Sequence, residues 1–313
     1  MTGPSPMWHG YEEALCRSAL DVPHLVVVDS REGTLGGEFR DRFPHRFFVA
    51  GTSEQEVVLT AAGLALGGKK VFASWSSPFL VGRSYDLIRS AIAIPALSVV
   101  LVSPFGWLDR GPSGAHHQLV EDLGLMTAMP GMPVLVPSDG VSARCLIERL
   151  ARSEGPAYVR LTAGNVPGVY QDDDGDFPLG GARFLTRGDG VTICACGIMV
   201  HEALKAARVL SSQGIEAEVI DCYSVRPLAE QVVLSSVRRT GCCVVAEEHS
   251  LHGGLGSAVC QCLSSRYPVP VGMVCADDRF GQSGSPEELR EFYGLTAGRI
   301  VSSAVQVFSM RRR

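Results

Sequence analysis

One acidic residue stands out because of where it lies between a strand and a helix. Glu54 belongs to the segment GTSEQE at 51–56, where the apolar run RFFVA at 46–50 gives way to the helical pattern VVLTAAGLALGG. Ligands of α/β proteins bind outside the carboxyl ends of strands, so this carboxyl group is placed for cofactor chemistry. A structural role also fits, because Ser53 and Glu56 have the spacing of a capping box.

Four further motifs follow in a characteristic order. They are GRSYDLIR at 82–89, HQLVEDLGLMTAMPGM at 117–132, EEHSLHGGLG at 247–256 and YGLTAGRI at 293–300. In this order the chain resembles the C-terminal half of transketolase, in the form encoded as a separate subunit. The resemblance spans nearly everything from Pro23 to Ile300.

The resemblance implies roles for single residues. Glu54 matches the glutamate that hydrogen-bonds N1′ of the thiamine diphosphate pyrimidine and promotes deprotonation of the thiazolium carbon, which requires a desolvated pocket. His117 matches a histidine of the substrate channel. Its neighbour His116 takes the place of a small hydroxyl residue, so a substrate contact and a structural role are both open. Phe79 matches an aromatic residue beside the pyrimidine, with plain core packing as the alternative.

Two departures from the family pattern affect the cofactor and the donor. Ser76 stands where a phenylalanine usually stacks on the pyrimidine, so we expect altered packing there, with Trp75 as a candidate replacement. Ser113 replaces the aspartate that reads the C2 hydroxyl group of the donor. The resemblance therefore assigns Trp75 and Ser76 to the cofactor and Ser113 to the substrate.

Two other departures concern phosphate recognition. Phe105 replaces a histidine and Ala163 an arginine, both of which hold the sugar phosphate in ordinary transketolases. Phosphate binding needs charged donors, and this pair supplies none. Arg110 and Arg160 are nearby candidates to substitute. We expect transfer of a two-carbon ketol or acyl unit, from a ketose or 2-oxo acid, to an unphosphorylated, more apolar or carrier-bound acceptor.

The family holds Mg²⁺ and the diphosphate through a GDG motif followed by an asparagine. GDG occurs at 188–190, but the sole asparagine, Asn165, lies upstream, and the motif is predicted to form a turn before a strand. Mg²⁺ prefers oxygen ligands around the phosphates, and no suitable cluster occurs here, so no metal ligand is assigned to this chain. The resemblance implies a companion subunit that carries Mg²⁺ and the diphosphate domain, in an α2β2 heterotetramer.

The elements that must position these residues alternate between β-branched runs and helical patterns, which predicts parallel sheets covered by helices. We expect an α/β fold of two doubly wound domains. The first, at 1–164, is the pyrimidine-binding domain by resemblance. A Gly-, Pro- and Asp-rich linker is predicted at 165–182, followed by the transketolase C-terminal domain at 183–313.

Composition excludes several classes of protein. The 313 residues are 46% hydrophobic and 19% charged, enough to bury sizeable cores in about two domains. A net charge of −5 gives no reason to expect nucleic acid or an anionic membrane as partner. No apolar run reaches the ~18 residues of a membrane span, and MTGPSPMWHG lacks a signal-peptide pattern. We expect a cytoplasmic protein whose ten cysteines mostly fill the core.

Two other functions stay open. The chain could be the β component of a 2-oxo acid dehydrogenase-type decarboxylating complex, although YGLTAGRI and HHQLVEDLGLM favour transketolase. It could also be a degenerate scaffold subunit without activity, because of the changes at Ser76, Ser113 and Ala163. Retention of Glu54 and His117 argues against the scaffold.

Overall fold

The computed structural model describes residues 5–30, 35–172 and 175–311. Its strands are β1 Ser5–Pro6, β2 Leu25–Asp29, β3 Phe47–Val49, β4 Lys70–Ser74, β5 Val99–Ser103, β6 Val134–Leu135, β7 Ala157–Arg160, β8 Asn165–Val166, β9 Arg183–Phe184, β10 Val191–Ala195, β11 Ala217–Asp221, β12 Ser224–Arg226, β13 Cys243–Ser250 and β14 Val271–Ala276. Its α-helices are α1 Met7–Asp21, α2 Gly37–Arg42, α3 Glu54–Leu66, α4 Tyr85–Leu87, α5 Asp122–Ala128, α6 Gly140–Arg152, α7 Met199–Ser212, α8 Glu230–Thr240, α9 Leu255–Arg266, α10 Pro286–Phe292 and α11 Ala297–Met310.

The first sheet has seven strands in the order β12-β6-β7-β5-β4-β2-β3. All neighbours are parallel except β12, which pairs with β6 in the antiparallel direction. Every residue of β2, β4 and β5 is buried, as expected of strands with helices on both faces. The parallel arrangement brings the carboxyl ends of these strands to one edge, where the loops carry the residues of interest.

The second sheet has five strands in the order β14-β13-β10-β11-β9, with β9 as the antiparallel edge strand. Residues 188–190, the GDG segment, lie in the loop that leads into β10. The predicted α/β fold with two sets of parallel strands is therefore confirmed. A small antiparallel pair, β1 with β8, completes the sheets of the described chain.

One strand crosses between the halves of the sequence. β12, at Ser224–Arg226, follows the second sheet's strand β11 but pairs with β6 of the first sheet, with Ser224 opposite Leu135. The Arg226 side chain also donates a hydrogen bond to the carbonyl of Thr127 in α5. The two sheets are thus joined by main-chain pairing as well as by side-chain packing.

The segment predicted as a linker, 165–182, is packed in the part that the structure describes. Tyr170 and Phe177 are buried, and their rings meet edge to face with centroids 4.9 Å apart. The backbone N–H groups of Val169 and Tyr170 both donate to Asp139 Oδ2 at 2.8 Å. The Tyr170 hydroxyl donates to Asp221 Oδ2, also at 2.8 Å. This segment therefore ties the first domain to β11 of the second.

The segment SYDLIRSAIAI at 84–94 is helical but irregular. Two π-helical turns, Pro78–Arg83 and Ile88–Ala93, flank the short α4. Wide turns of this type occur often at functional sites. The first of them carries Phe79 and Arg83 to the edge of the first sheet.

Eight of the ten cysteines are buried and two, Cys145 and Cys260, are half-buried, which confirms the prediction that most fill the core. Within the described residues, no group of three or more His, Cys, Asp or Glu side chains is arranged to hold a metal ion. None of the helices that the structure describes combines the length and apolar character needed to cross a bilayer.

Candidate active site

A cavity of about 320 Å³ lies at the carboxyl edge of the first sheet. Loops after β2, β3, β4 and β5 and the first π-helical turn supply its walls, as expected for a ligand site in a parallel sheet. It is lined by Ser30, Thr52, Glu54, Trp75, Ser76, Phe79, Arg83, Arg110, Ser113 and His117. The structure thus brings together six of the seven residues that the sequence placed at a cofactor or substrate site.

Glu54 is the first residue of α3 and is 6% exposed. Arg83 Nε lies 3.0 Å from Glu54 Oε1, so the carboxyl group is ion-paired at the cavity wall. The capping box expected at this helix is absent. Ser53 occupies the N-cap with extended backbone, but its side chain makes no capping hydrogen bond. Glu56 instead turns toward Gly51, where an added Cβ would collide with its carboxylate oxygen.

His117 and Phe79 meet edge to face, with ring centroids 5.4 Å apart and planes at 77°. His117 ends the short 3₁₀ turn Ala115–His117, where its backbone N–H donates to the carbonyl of Gly114 at 3.0 Å. His116, one residue earlier in the same turn, is exposed and is not among the residues that line the cavity. The structure therefore separates the two histidines.

Trp75 and Ser76 follow β4 directly and both reach the cavity. Trp75 is half-buried, and its backbone N–H donates to the carbonyl of Val102 at 3.2 Å, which continues the pairing of β4 with β5. Ser76 is buried. Ser113 lines the cavity from the other side and is exposed. An indole and two hydroxyl groups therefore face the same space as Glu54.

Three polar atoms of this cavity are buried without a hydrogen-bond partner among the described residues: Ser76 Oγ, Arg110 Nε and His117 Nδ1. Buried polar atoms in folded proteins nearly always have a partner, because an unpaired one costs roughly 1–3 kcal/mol. Three such atoms around one cavity are available to hydrogen-bond a polar ligand. Together with Phe79 and Trp75, they suit a flat heterocycle with nitrogen atoms at its edge.

Buried carboxyl groups hold the loop that forms one wall. Leu108 donates its backbone N–H to Glu248 Oε1 at 2.8 Å, and Gly106 and Ala163 donate theirs to Asp109 Oδ2 at 2.7 and 2.8 Å. Burial raises the pKa of Glu248 to about 7 and also raises the pKa of Asp109. Since Glu248 belongs to β13, the second domain fixes a loop of the first.

The same loop is clamped on its other side by the second domain. Trp107 is buried against Tyr293, with ring centroids 4.7 Å apart. Gln118 Nε2 donates to the carbonyl of Gln282 at 2.8 Å. A Cβ at Gly111 would overlap the carbonyl oxygen of Gly284, so the two loops approach as closely as glycine allows. The cavity wall is therefore held in place by contacts with the second domain.

The two arginines offered as substitute phosphate ligands differ sharply in the structure. Arg160 is buried and ion-paired with Asp122 at 2.9 Å, and Asp122 also accepts a hydrogen bond from Tyr158 at 2.7 Å. Arg160 is thus a structural residue. Arg110 lines the cavity, and its guanidinium carbon lies 3.9 Å from the centroid of the Phe105 ring.

The sequence did not assign Arg83, Thr52 or Ser30 to the site. Arg83 lies in the motif GRSYDLIR, which carried the family resemblance without giving this residue a role. Thr52 and Ser30 lie just after strands β3 and β2, and this location after a strand could have indicated that both line the cavity. The ion pair of Arg83 with Glu54 depends on the π-helical turn, which no sequence pattern indicated.

Comparison with known proteins gives a consistent result. The transketolase pyrimidine-binding domain model matches residues 5–169, and the transketolase C-terminal domain model matches residues 180–300. The 6-deoxy-6-sulfo-D-fructose transketolase subunit of Clostridium sp. strain MSTE9 is 39% identical over 95% of this chain and 92% of its own length. An apulose-4-phosphate transketolase subunit from Phocaeicola vulgatus is 34% identical over 93% of each chain.

A solved structure is similar as well. It is described as a split gene transketolase, an inactive β4 tetramer, and it is 40% identical with a TM-score of 0.92 over 98% of this chain and 99% of that one. Two domain models, split-subunit relatives and this structure agree with the order of motifs. The chain therefore belongs to the transketolase family, of which it contains the pyrimidine-binding and C-terminal domains.

Proposed function

We propose that this chain is one subunit of a two-component, thiamine-diphosphate-dependent transketolase-like enzyme that transfers a two-carbon ketol or acyl unit. The observation that carries the proposal is the position of Glu54, a nearly buried carboxyl group in a cavity that also holds Phe79, Trp75 and His117. Glu54 can exchange a proton, Phe79 and Trp75 provide flat apolar surfaces, and His117 adds a second polar group to the same cavity.

The residues fit the pyrimidine of the cofactor. Glu54 would exchange a proton with the ring nitrogen N1′, while Phe79 and Trp75 would contact the ring faces or edges, and Ser76 Oγ is free to hydrogen-bond a polar edge. Bound there, thiamine diphosphate supplies the nucleophilic carbon and electron sink that carbon–carbon bond cleavage needs. His117 would orient the hydroxyl or carbonyl oxygen of the substrate, since its Nδ1 is buried and unpartnered in the described structure.

A companion subunit completes the enzyme in this proposal. Two relatives are named as subunits, and this chain matches over nine-tenths of their length, which supports a division of the enzyme between chains. The solved β4 tetramer is called inactive, which accords with a need for a second component. We assign the diphosphate and Mg²⁺ to that companion, in an α2β2 assembly, because the GDG at 188–190 has no asparagine after it.

We further propose that the substrates are not the usual pentose phosphates. Phe105 and Ala163 replace the two basic residues that hold a sugar phosphate in ordinary transketolases. Arg160 is ion-paired with Asp122 and is not available to bind a phosphate. The names of the two relatives include 6-deoxy-6-sulfo-D-fructose and apulose 4-phosphate, which accords with varied specificity among split members. An unphosphorylated or carrier-bound acceptor suits the cavity of this chain.

The test is a steady-state comparison with the companion present. The pair of xylulose 5-phosphate as donor and ribose 5-phosphate as acceptor is compared with pairs of unphosphorylated donors and acceptors. We expect the unphosphorylated set to give the higher kcat/KM. If the phosphorylated pair were clearly the best substrates, the proposed specificity would be wrong, while transfer itself would still support the enzyme class. Release of CO₂ from a 2-oxo acid without transfer would instead favour a decarboxylating β component.

A further inference from the structure

We propose that Arg110 binds a singly charged acidic group of the substrate, a carboxylate or a sulfonate, and so determines specificity. The proposal rests on the function proposed above and names the substrate class for the same cavity. The family resemblance gives Arg110 no role; in the sequence it is only one of two nearby basic residues that could bind phosphate.

The first support is the state of the Arg110 side chain. Its Nε is buried and has no hydrogen-bond partner among the described residues. Its guanidinium stacks on Phe105 at 3.9 Å, and no ion pair involves it within the described chain. A guanidinium presents five N–H donors in a planar fork that matches carboxylate or sulfonate oxygens, so this one is held in place with its donors unused.

The second support is the count of charges at the cavity. Of the described residues that line it, the other arginine is Arg83, which pairs with Glu54 at 3.0 Å. Arg160 is satisfied by Asp122 and does not line the cavity. Among these described lining residues, Arg110 is left as the cation without an ion pair, and it balances one negative charge. A phosphate ester carries close to two charges at neutral pH and is better served by several donors.

The third support is the rigidity of the loop. Asp109, the residue before Arg110, accepts two backbone hydrogen bonds, and Glu248 holds Leu108. Trp107 is fixed against Tyr293. A guanidinium on a loop held at both sides loses little freedom when it binds an anion, which favours selective recognition. Phe105, at the position of the family's phosphate-binding histidine, becomes the platform on which Arg110 lies.

The experiment measures binding to the cofactor-loaded complex of this chain with its companion. Saturation-transfer NMR with acetate, methanesulfonate and methyl phosphate at equal ionic strength compares wild type with Arg110→Met. Arg208→Met is the matched control, because Arg208 is exposed on α7 and outside the cavity. We expect wild type and the control to bind acetate or methanesulfonate better than methyl phosphate, and Arg110→Met to lose about 10- to 100-fold in affinity.

Kinetics supply a second readout. The KM of glyoxylate as acceptor should rise about 10- to 100-fold in Arg110→Met, while kcat/KM for neutral glycolaldehyde stays within about threefold. Arg110→Lys keeps the charge without the planar fork and should fall between the two. The relative affinities for acetate and methanesulfonate then show whether the substrate carries a carboxylate or a sulfonate.

Several outcomes would overturn the inference. It is wrong if methyl phosphate binds best, if Arg110→Met leaves anion binding unchanged, or if it weakens thiamine diphosphate rather than the anions. If the wild-type chain and its companion together failed to bind thiamine diphosphate, the proposed function would be rejected instead. Anion binding to the chain alone would then still test the role of Arg110. A thermal melt of each variant shows whether a loss reflects unfolding.

Discussion

Arg83 and Glu54 form an ion pair at the cavity wall, with 3.0 Å between Arg83 Nε and Glu54 Oε1. The partners differ in exposure: the side chain of Glu54 is 8% exposed and that of Arg83 is 66% exposed. When Arg83 leaves the pair its guanidinium returns to water, whereas the nearly buried carboxyl group of Glu54 then needs another partner. In the proposed function a ligand nitrogen supplies that partner, and the exposed arginine turns into solvent.

The edge-to-face contact of His117 with Phe79 leads to a prediction about turnover. His117→Ala should lower kcat about 10- to 100-fold without changing the affinity for thiamine diphosphate, because in the proposed function the lost group acts on the substrate. His116→Ala is the matched control, since His116 is exposed outside the cavity, and should stay within about twofold. If steady-state kinetics showed an equal loss of kcat in both variants, His116 would also have to contact the substrate.

Ala163 tests the proposed loss of phosphate recognition. Ala163→Arg restores a cation at a position where ordinary transketolases hold the sugar phosphate, so kcat/KM for ribose 5-phosphate should rise about tenfold. Ala163→Gln adds a polar side chain without charge and should show no gain. Both keep the backbone N–H that donates to Asp109 at 2.8 Å. No gain with arginine in a folded variant would mean that this position does not face the acceptor.

The packed segment at 165–182 makes a prediction about stability. Tyr170→Phe removes the hydroxyl that donates to Asp221 and should lower the free energy of unfolding by about 1–2 kcal/mol. Tyr267→Phe is a suitable control, since Tyr267 is 38% exposed. Urea denaturation measures both. If the two variants were equally stable, the segment would be the loose linker that its Gly- and Asp-rich composition predicts.

Asp221 should make stability depend on pH. Burial raises its pKa to about 7, compared with about 4 in an unfolded chain. The folded state therefore holds this proton more tightly than the unfolded state. Its contribution to stability is fully present below about pH 4 and is lost as the pH rises to about 7. Asp221→Asn should flatten this part of the pH profile, measured as the urea midpoint from about pH 5 to 8. An unchanged slope would show that other groups cause it.

Much of the fold could be predicted because buried parallel strands are continuous apolar runs. The runs LVVVD and KVFAS each stand out from their polar flanks and form β2 and β4. β12 could not be predicted, because three residues carry no periodicity and its partner, β6, lies far away in sequence. Long-range pairing of this kind depends on the packing of both domains.

The lining of the cavity was predictable where a motif placed a residue in a loop at the carboxyl edge of the first sheet, as for Glu54 and His117. Local capping rules were less reliable: the box predicted at Ser53 is absent, while Asp139 and Ser142 form one at α6. The difference between Arg110 and Arg160 was also beyond the sequence. It depends on Asp122 lying beside one and on Phe105 lying beneath the other.

The most direct measurement titrates thiamine diphosphate with Mg²⁺ into this chain alone and then into an equimolar mixture with its companion. Wild type, Glu54→Ala and the control Glu56→Gln, an exposed residue of the same helix turn, are compared by calorimetry and turnover. We predict tight binding in the mixture alone, and turnover lowered at least about 100-fold in Glu54→Ala but unchanged in the control. Tight binding by the chain alone, or full activity without Glu54, would contradict the proposed split active site.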